Sequence, residues 1–274
     1  MDEKKDTPDV HITEGFDGDQ IDRWIQGSEE HSPLIPAGMS DVIFHDRAKK
    51  LVETLVAYKE MMMMYSCAMK EIQTKFEVLD MEFKVRYRRN PISSISTRLK
   101  KTASILEKMA RNHYDFSLEK LEENINDIAG IRVVCSYIDD IYMLADALLK
   151  QDDITLVSRK DYIASPKDNG YRSLHLIVKI PVFFADQKRD MKVEVQIRTI
   201  AMDFWASLEH QLKYKQNIPN EDEMVAKLKI CADIINATDE QMLGIRQELE
   251  VIGDKPTEDD ILMEKLRRID EQFG

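Results

Sequence analysis

Glu194, Gln196 and Arg198 alternate with valine and isoleucine over residues 192–199, which is the two-residue period of a β-strand. Their side chains are therefore predicted to share one face of a strand whose other face is apolar. A carboxylate, an amide and a guanidinium on one face could form the floor of a site for a charged ligand. A solvated edge strand would show the same alternation, so this stretch alone leaves both interpretations open.

Two further stretches repeat this design of an apolar back and a polar front. In one, leucine and valine alternate with Tyr171, Ser173 and His175. The other opens with Asp127 and carries Arg132 among β-branched side chains. Three such strands, with charged, aromatic and imidazole groups, favour a site for a charged planar ligand such as a nucleotide.

The strongly basic part of the chain is the segment 84–106, which contains no acidic residue. Pro91 is predicted to end a helix that starts at about residue 40, and a serine after it to cap a second helix that runs to about Asn112. A basic stripe at spacings of three and four would lie on the second helix. The stripe consists of Lys100, Ser104, Lys108 and Arg111.

Such a stripe is usually a solvated face. In a chain with a formal net charge of -12, however, a basic helix beside strands that carry carboxylates favours phosphate binding. The same net charge argues against a general polyanion binder, so any phosphate site is expected to be a local basic patch.

The composition describes a globular protein of 274 residues, with 43% hydrophobic and 33% charged side chains. This size allows one domain with or without appendages. Three widely spaced cysteines without a CxxC motif predict reduced thiols rather than disulfides or a zinc site. The N-terminal sequence does not look like a signal peptide, and no apolar run approaches the roughly 18 residues of a membrane span. We therefore expect a cytoplasmic protein that contacts neither membrane nor DNA.

The rest of the chain mixes helix and strand patterns, which predicts an α+β fold with a mixed sheet of about five strands flanked by helices. Strands are predicted at 130–136, 153–158, 171–180 and 191–198, and helices at 138–150, 199–214, 221–250 and 259–273. The predicted organisation is an acidic flexible tail at 1–38, a main domain at 39–216 and a helical C-terminal arm at 217–274.

Three motifs in this order resemble the synthetase domain of the RelA/SpoT alarmone enzymes. They are residues 127–132, 170–175 and 194–199, followed by Trp205 and by Glu209 with His210. The resemblance covers about residues 85–215 and extends to the small, RelQ-like kind, which has the same helix sequence at 103–108 and a helical C-terminal arm. It implies a mixed five-stranded sheet of the nucleotidyltransferase-like type. No P-loop pattern occurs in the chain.

This resemblance implies transfer of pyrophosphate from ATP to the 3′-hydroxyl of GDP or GTP, which gives AMP and guanosine tetra- or pentaphosphate. Mg²⁺ is the implied cofactor, with Asp127 as its principal ligand. Glu194 matches the residue that activates the 3′-hydroxyl and also touches the metal. Arg98 and Arg132 match arginines that sandwich the adenine, where a flat guanidinium can stack. The positions that match contacts to the ATP phosphates are Lys100, Ser104, Lys108 and Arg111.

On the acceptor side, Tyr171 matches the ring that stacks on guanine, and Gln196 is expected to contact the nucleoside. Positions that match groups near the acceptor phosphates or the transferring group are Arg159, Lys167 and His175. Asp203 stands where we expect an asparagine, which leaves the preference among GMP, GDP and GTP open. Taken singly, each residue has a simpler interpretation: His175 as a core histidine, for example, or Tyr171 as a cover for the sheet.

Two other functions fit parts of the sequence. One is an oligomeric module that binds nucleotide or single-stranded RNA with weak or lost catalysis. The other is a nucleotidyltransferase with a different acceptor, which would release pyrophosphate rather than AMP. The resemblance also implies a homotetramer and an alarmone product as an allosteric ligand.

Overall fold

The computed structural model describes residues 41–86, 89–213, 221–252, 262 and 264–268. The chain divides into two compact units, Met1–Glu60 and Met61–Gly274. The predicted tail at 1–38 lies outside the described residues, and the domain boundaries at 38/39 and 216/217 stay predictions. Of the helix predicted at 259–273, the described residues 262 and 264–268 are helical.

The second unit contains one mixed sheet of five strands, which confirms the predicted fold class. The strands are β1 (Ile92–Leu99), β2 (Ala129–Cys135), β3 (Thr155–Asp161), β4 (Leu174–Phe183) and β5 (Lys188–Thr199). Their order is β1-β2-β5-β4-β3, in which β2 and β5 are parallel and the other neighbours antiparallel. The parallel pair lies near the middle of the sheet. One face of the pair is buried in the hydrophobic core, and the other face carries polar side chains.

Within the described residues, six helices of seven or more residues flank or precede the strands. They are α1 (Asp41–Arg86), α2 (Thr102–Arg111), α3 (Leu118–Asn124), α4 (Ile138–Leu149), α5 (Ile200–Lys213) and α6 (Glu221–Ile252). The predicted helices at 138–150, 199–214 and 221–250 correspond to α4, α5 and α6. None of the helices in the described part of the chain is long and apolar enough to cross a membrane.

The prediction of one helix from Ser93 to Asn112 is wrong. Residues up to Leu99 form the edge strand β1, which pairs with β2 along most of its length, and only then does α2 begin. Serine and β-branched residues dominate this segment, and both have a low intrinsic preference for helix. Pairing with β2 decides the conformation, as it commonly does for strands, and brings Arg98 opposite Gly130.

The hydrophobic core lies on one face of the sheet. Side chains at alternate positions of the central strands are fully buried there, and α4 packs against β5. The buried set includes Ile131, Val133, Leu174, Leu176, Val178, Val193, Val195 and Ile197 from the strands and Ile141, Leu144 and Leu148 from α4. Because successive strand residues point to opposite faces, burial of this set places the polar residues between them on the other face.

Helix α6 is attached to β5 and α5 by specific polar contacts. Thr199 at the end of β5 donates its hydroxyl hydrogen to Oδ2 of Asp239 over 2.5 Å, and the indole N–H of Trp205 donates to the Leu228 carbonyl over 2.9 Å. Asp239 is only 7% exposed, and burial raises the pKa of its carboxyl, although the bond from Thr199 acts in the opposite direction. These contacts hold α6 against the end of β5 and against α5.

Gly170 lies where the loop before β4 touches α6. Its φ of +88° is in the region that L side chains rarely adopt, and an added Cβ would lie 2.5 Å from Cβ of Ala232. We expect Gly170→Ala to lower the free energy of unfolding by about 2 kcal/mol because both the strain and the clash oppose folding. Urea unfolding measures this change.

Gly244 provides the matched control, because it is also a glycine of the α6 region but has nothing within 4 Å of an added Cβ. Gly244→Ala is expected to raise the free energy of unfolding by about 0.5–1 kcal/mol, the usual gain in a helix interior. Equal effects of the two substitutions would contradict the contact between Gly170 and α6.

Candidate functional site

A cavity of about 420 Å³ opens on the polar face of β1, β2 and β5. Its lining residues are Ser96, Thr97, Arg98, Asp127, Gly130, Ile131, Arg132, Glu194 and Gln196. The parallel register of β2 and β5 explains this convergence, since it sets Glu194 beside Gly130 and Gln196 beside Arg132. The glycine leaves open space next to the carboxylate, so the cavity floor combines two acids, two arginines and an amide.

Asp127 is held between two lysines. Nζ of Lys100 lies 2.8 Å from Oδ2 of Asp127, and Nζ of Lys108 lies 2.9 Å from Oδ1. Burial alone would raise the pKa of Asp127, but the hydrogen bonds and charges of the two lysines outweigh it and lower the pKa. Asp127 is therefore ionised at neutral pH, and its two lysine partners bring positive charge next to this cavity-lining carboxylate.

Glu194 is the second carboxylate of the cavity. The amide nitrogen of Gln196 donates to its Oε2 over 3.0 Å, and Nδ1 of His175 lies 3.5 Å from its Oε1. Burial acts to raise the pKa of Glu194 and Asp127 adds to this, but His175 and Gln196 prevail and the pKa is lowered. A partly buried, ionised carboxylate can accept a proton from a hydroxyl that a ligand brings to it.

A cluster of aromatic rings adjoins Glu194. The hydroxyl of Tyr171 lies 2.8 Å from Nε2 of His175, and the ring of Tyr162 makes edge contacts with both. Nζ of Lys167 lies 4.7 Å from the ring centroids of both tyrosines. This cluster combines a flat surface with a cation, as a purine nucleotide would require.

Arg132 and Arg198 share one carboxylate. Nη1 of Arg132 lies 3.3 Å from Oδ1 of Asp203, and Nη1 of Arg198 lies 3.1 Å from the same oxygen. Nε of Arg132 is buried but has no hydrogen-bond partner among the described residues. A buried donor of this kind normally has a partner, so the cavity side of Arg132 is suited to a ligand acceptor.

Most of the residues singled out from the sequence meet in this region. Those that line the cavity or contact its two carboxylates directly are Arg98, Lys100, Lys108, Asp127, Arg132, His175, Glu194 and Gln196. Tyr171 and Lys167 adjoin them through the aromatic cluster. Ser104 lies one turn before Lys108 on α2 and is half-buried, and Arg111 is exposed near the end of the same helix.

Arg159 is not brought to the cavity. Arg159 lies opposite Leu176 in the β3–β4 ladder, so its side chain is on the face of the sheet that forms the core. There its guanidinium contacts α4: Cζ lies 6.0 Å from the Tyr142 ring centroid, and Nη1 lies 3.9 Å from Oδ1 of Asp146. An irregularity between Leu156 and Ser158 shifts the register of β3, and a one-residue shift reverses the face on which every later side chain lies.

The sequence placed Arg198 on the polar face with Glu194 and Gln196 but predicted no contact for it, whereas its guanidinium contacts Tyr171, Gln196 and Asp203 at once. Its position two residues after Gln196, on the same face of the strand, indicates that its side chain lies near that of Gln196. A pairing of Asp203 with two arginines was not foreseen either, since those three residues are distant along the chain or on different elements.

The two carboxylates are the groups best suited to a metal ion. Mg²⁺ prefers hard oxygen ligands and is commonly held by one or two carboxylates together with water and substrate phosphates. Asp127 and Glu194 line the same cavity and affect each other electrostatically, so they fit this pattern. The described residues contain no group of three or more His, Cys, Asp or Glu side chains that could hold a metal without such additional ligands.

Comparison with known proteins extends these observations. A family model described as the region found in RelA / SpoT proteins matches residues 97–219. GTP pyrophosphokinase YwaC of Bacillus subtilis is 42% identical over 193 residues, which are 70% of this chain and 92% of that protein.

Solved structures of small alarmone synthetases have folds similar to that of this chain. The small alarmone synthetase 2 from Bacillus subtilis is 41% identical, with a TM-score of 0.63 over 70% of this chain and 98% of its own. The small alarmone synthetase 1 from the same organism, bound to its product pppGpp, is 35% identical, with a TM-score of 0.64 over 71% of this chain and 98% of its own.

Proposed function

The chain belongs to the RelA/SpoT family of GTP pyrophosphokinases, and from this premise we propose how its site carries out the reaction. The enzyme transfers the β,γ-pyrophosphate of ATP to the 3′-hydroxyl of GDP or GTP, which gives AMP and ppGpp or pppGpp. The observation that carries the proposal is the cavity that Glu194 and Asp127 line together with two arginines, where two lysines pair with Asp127.

ATP binds on the β1, β2 and α2 side of the cavity. Arg98 and Arg132 lie on neighbouring strands and line the cavity, so their flat guanidinium groups can hold the adenine between them. Lys100 and Lys108 bind the phosphates, and Ser104 and Arg111 extend this surface along α2. The positive charge of this group offsets the charge that develops on the transferring phosphates.

GDP or GTP binds over β4 and β5. The guanine stacks on Tyr171, and Lys167 and His175 face the acceptor phosphates or the transferring group, while Gln196 contacts the nucleoside. We leave Arg159 out of this site because its guanidinium contacts Tyr142 and Asp146 on the other face of the sheet.

Glu194 starts the reaction. Its low pKa keeps it ionised, so it takes the proton of the 3′-hydroxyl while that oxygen forms a bond to the β-phosphorus of ATP. The bond between the β-phosphorus and the oxygen that bridges to the α-phosphate breaks, and AMP leaves with that oxygen. Mg²⁺, held by Asp127 and Glu194 when bound, would neutralise phosphate charge and polarise the β-phosphoryl group.

Nucleotide chromatography tests this proposal. The protein is incubated with ATP, magnesium and one of GMP, GDP or GTP, and we expect AMP to appear together with a more phosphorylated guanosine nucleotide. Release of pyrophosphate instead of AMP would indicate a nucleotidyltransferase with another acceptor. Absence of AMP with every acceptor at high enzyme concentration would favour the binding module.

We also propose that the chain forms a homotetramer in which α6 takes part. A row of exposed apolar side chains on this helix supports the proposal: Ile230, Ile234, Ile245 and Leu249 are 51–62% exposed. Light scattering measures the mass of the assembly, and a monomer at micromolar concentration would contradict it. The allosteric alarmone ligand, single-stranded RNA binding and a cytoplasmic location stay predictions from the sequence.

A further inference from the structure

Lys192 contacts the end of a helix through its ammonium group. The side chain lies on the polar face of β5, two residues before Glu194. Nζ donates to the carbonyl oxygens of Glu122 and Glu123, each over 3.0 Å, and to Oδ1 of Asn126 over 2.9 Å. An ammonium group has three hydrogens, so these acceptors use its whole capacity to donate.

The carbonyls of Glu122 and Glu123 belong to the last turn of α3. The last carbonyls of a helix have no partner within the helix, and the helix dipole places partial negative charge there. A lysine ammonium supplies hydrogen bonds and the opposite charge, so Lys192 ties the end of α3 to β5. Arg189 adds a second tie from the same strand, since its Nη2 lies 3.3 Å from Oε2 of Glu122.

The contact with Asn126 extends this tie to a carboxylate of the cavity. Lysine can only donate, so Asn126 turns its amide oxygen to Lys192. Asp127 follows directly, in the short connection between α3 and β2, where the side chains of Ile125 and Ile128 are fully buried on either side of it. Lys192 thus holds the backbone next to Asp127 against β5, the strand that carries the second carboxylate of the cavity.

We infer that Lys192 is a positioning residue, which fixes Asp127 relative to Glu194 by clamping the connection between α3 and β2 against β5. The clamp itself rests on the contacts above, whereas its effect on the rate rests on the proposed roles of the two carboxylates. In those roles both act on the same reacting groups, and a displacement of about 1 Å can reduce such a rate about a hundredfold.

This clamp differs from the two lysines that contact Asp127 directly. Lys100 and Lys108 are proposed to bind the ATP phosphates, so their hold on Asp127 weakens when ATP binds. Lys192 is not among the residues that line the cavity, and its donors are used within the chain. Its hold on Asn126 therefore persists while the nucleotides bind and react.

Hydrogen exchange of the full chain, read by mass spectrometry of its peptides, tests the clamp without a measurement of activity. The reporter is the peptide that contains α3 and the Ile125 amide, which donates to the Leu121 carbonyl over 3.0 Å. Lys192→Met keeps an apolar stem but removes the donors, so we expect this peptide to exchange about tenfold faster. Peptides from β4 should exchange at the wild-type rate. An unchanged reporter, or an equal increase throughout the sheet, would overturn the inference.

Asn126→Ala tests the step from α3 to Asp127. It removes the contact next to Asp127 and leaves the two carbonyl contacts that hold α3, so the protein should fold normally. We expect kcat for AMP formation to fall about tenfold and both KM values to stay within about twofold, because neither Asn126 nor Lys192 lines the cavity. A wild-type kcat in this variant, or a loss confined to KM, would overturn the positioning role.

The double variant shows whether the two residues act through one contact. Asn126→Ala combined with Lys192→Met should lose no more kcat than Lys192→Met alone, because the first substitution removes a bond that the second has already broken. Losses of kcat that multiply in the double variant would mean that the two side chains act separately, and the clamp would have to be abandoned.

Lys179→Met is the matched control. Lys179 lies opposite Lys192 in the ladder between β4 and β5, on the same face of the sheet, but it is exposed. The substitution changes the net charge as Lys192→Met does, yet it should leave the exchange rates and kcat unchanged. An equal loss of kcat in the two variants would show that charge on this face sets the rate, and it would overturn the clamp.

The two kinds of measurement separate this inference from the proposed function. If the wild type produces no AMP, the proposed reaction fails, yet hydrogen exchange still reads the clamp. If the wild type is active and Lys192→Met leaves the exchange of α3 unchanged, the clamp fails while the reaction stands.

Discussion

Glu194→Gln is expected to reduce AMP formation by about 10²–10⁴-fold, the usual contribution of a general base. The substitution keeps the size and hydrogen-bonding reach of the side chain but removes the charge that we propose accepts the proton of the 3′-hydroxyl. The loss should appear in kcat rather than in KM, because the carboxylate acts on the reacting hydroxyl and the cavity keeps its other contacts with both nucleotides.

Glu223→Gln is the matched control for this substitution. Glu223 is exposed on α6, where its partner is Lys227 in the next turn, so removal of its charge should leave the rate unchanged. Wild-type AMP formation by Glu194→Gln would show that another group takes the proton, and the proposed role of Glu194 would have to be abandoned.

Asp127→Asn is expected to reduce the rate by about a hundredfold or more, and a hundredfold corresponds to about 2.7 kcal/mol of lost electrostatic stabilisation. The amide cannot neutralise Lys100 and Lys108, which approach the carboxylate within 2.8 and 2.9 Å. It is also a poorer ligand for a hard cation. We therefore expect the variant to need a much higher magnesium concentration for half-maximal activity, which a magnesium titration of AMP formation measures.

Asp153→Asn separates this effect from the general loss of a lysine–aspartate pair. Asp153 accepts from Lys75 over 2.7 Å and is not among the residues that line the cavity. Its replacement should leave both the rate and the magnesium requirement unchanged. If Asp127→Asn behaved in the same way, Asp127 could not be the principal metal ligand.

The alternation of polar and apolar residues was sufficient to predict β2 and β5 and most of β4, because one face of each strand is buried, but β4 begins at Leu174, after Tyr171 and Ser173. It could not predict β1, where serine and threonine leave no apolar periodicity and where pairing with β2, thirty or more residues away, decides the conformation. The resemblance to the RelA/SpoT family, which the comparisons confirm, supplied the roles that periodicity cannot give.

Side-chain partners that depend on tertiary structure were the least predictable part of the site. Lys100 and Lys108 were expected at the ATP phosphates, but their pairing with Asp127, 27 and 19 residues away, follows only from the way β1 and α2 fold beside β2. The register irregularity in β3, which turns Arg159 to α4, has no signature in the composition of that strand.

The contacts of α6 have a consequence for truncation of this protein. Thr199 gives its hydroxyl hydrogen to Asp239 of α6, and the same hydroxyl oxygen accepts from the backbone N–H of Met202 at the start of α5. Removal of α6 would expose the Trp205 side and free Thr199, one residue after Arg198, from its partner. Helix α6 thus supports β5, the strand that carries Glu194, so we expect a shortened chain that ends before Glu221 to be a poor choice for isolating the synthetase activity.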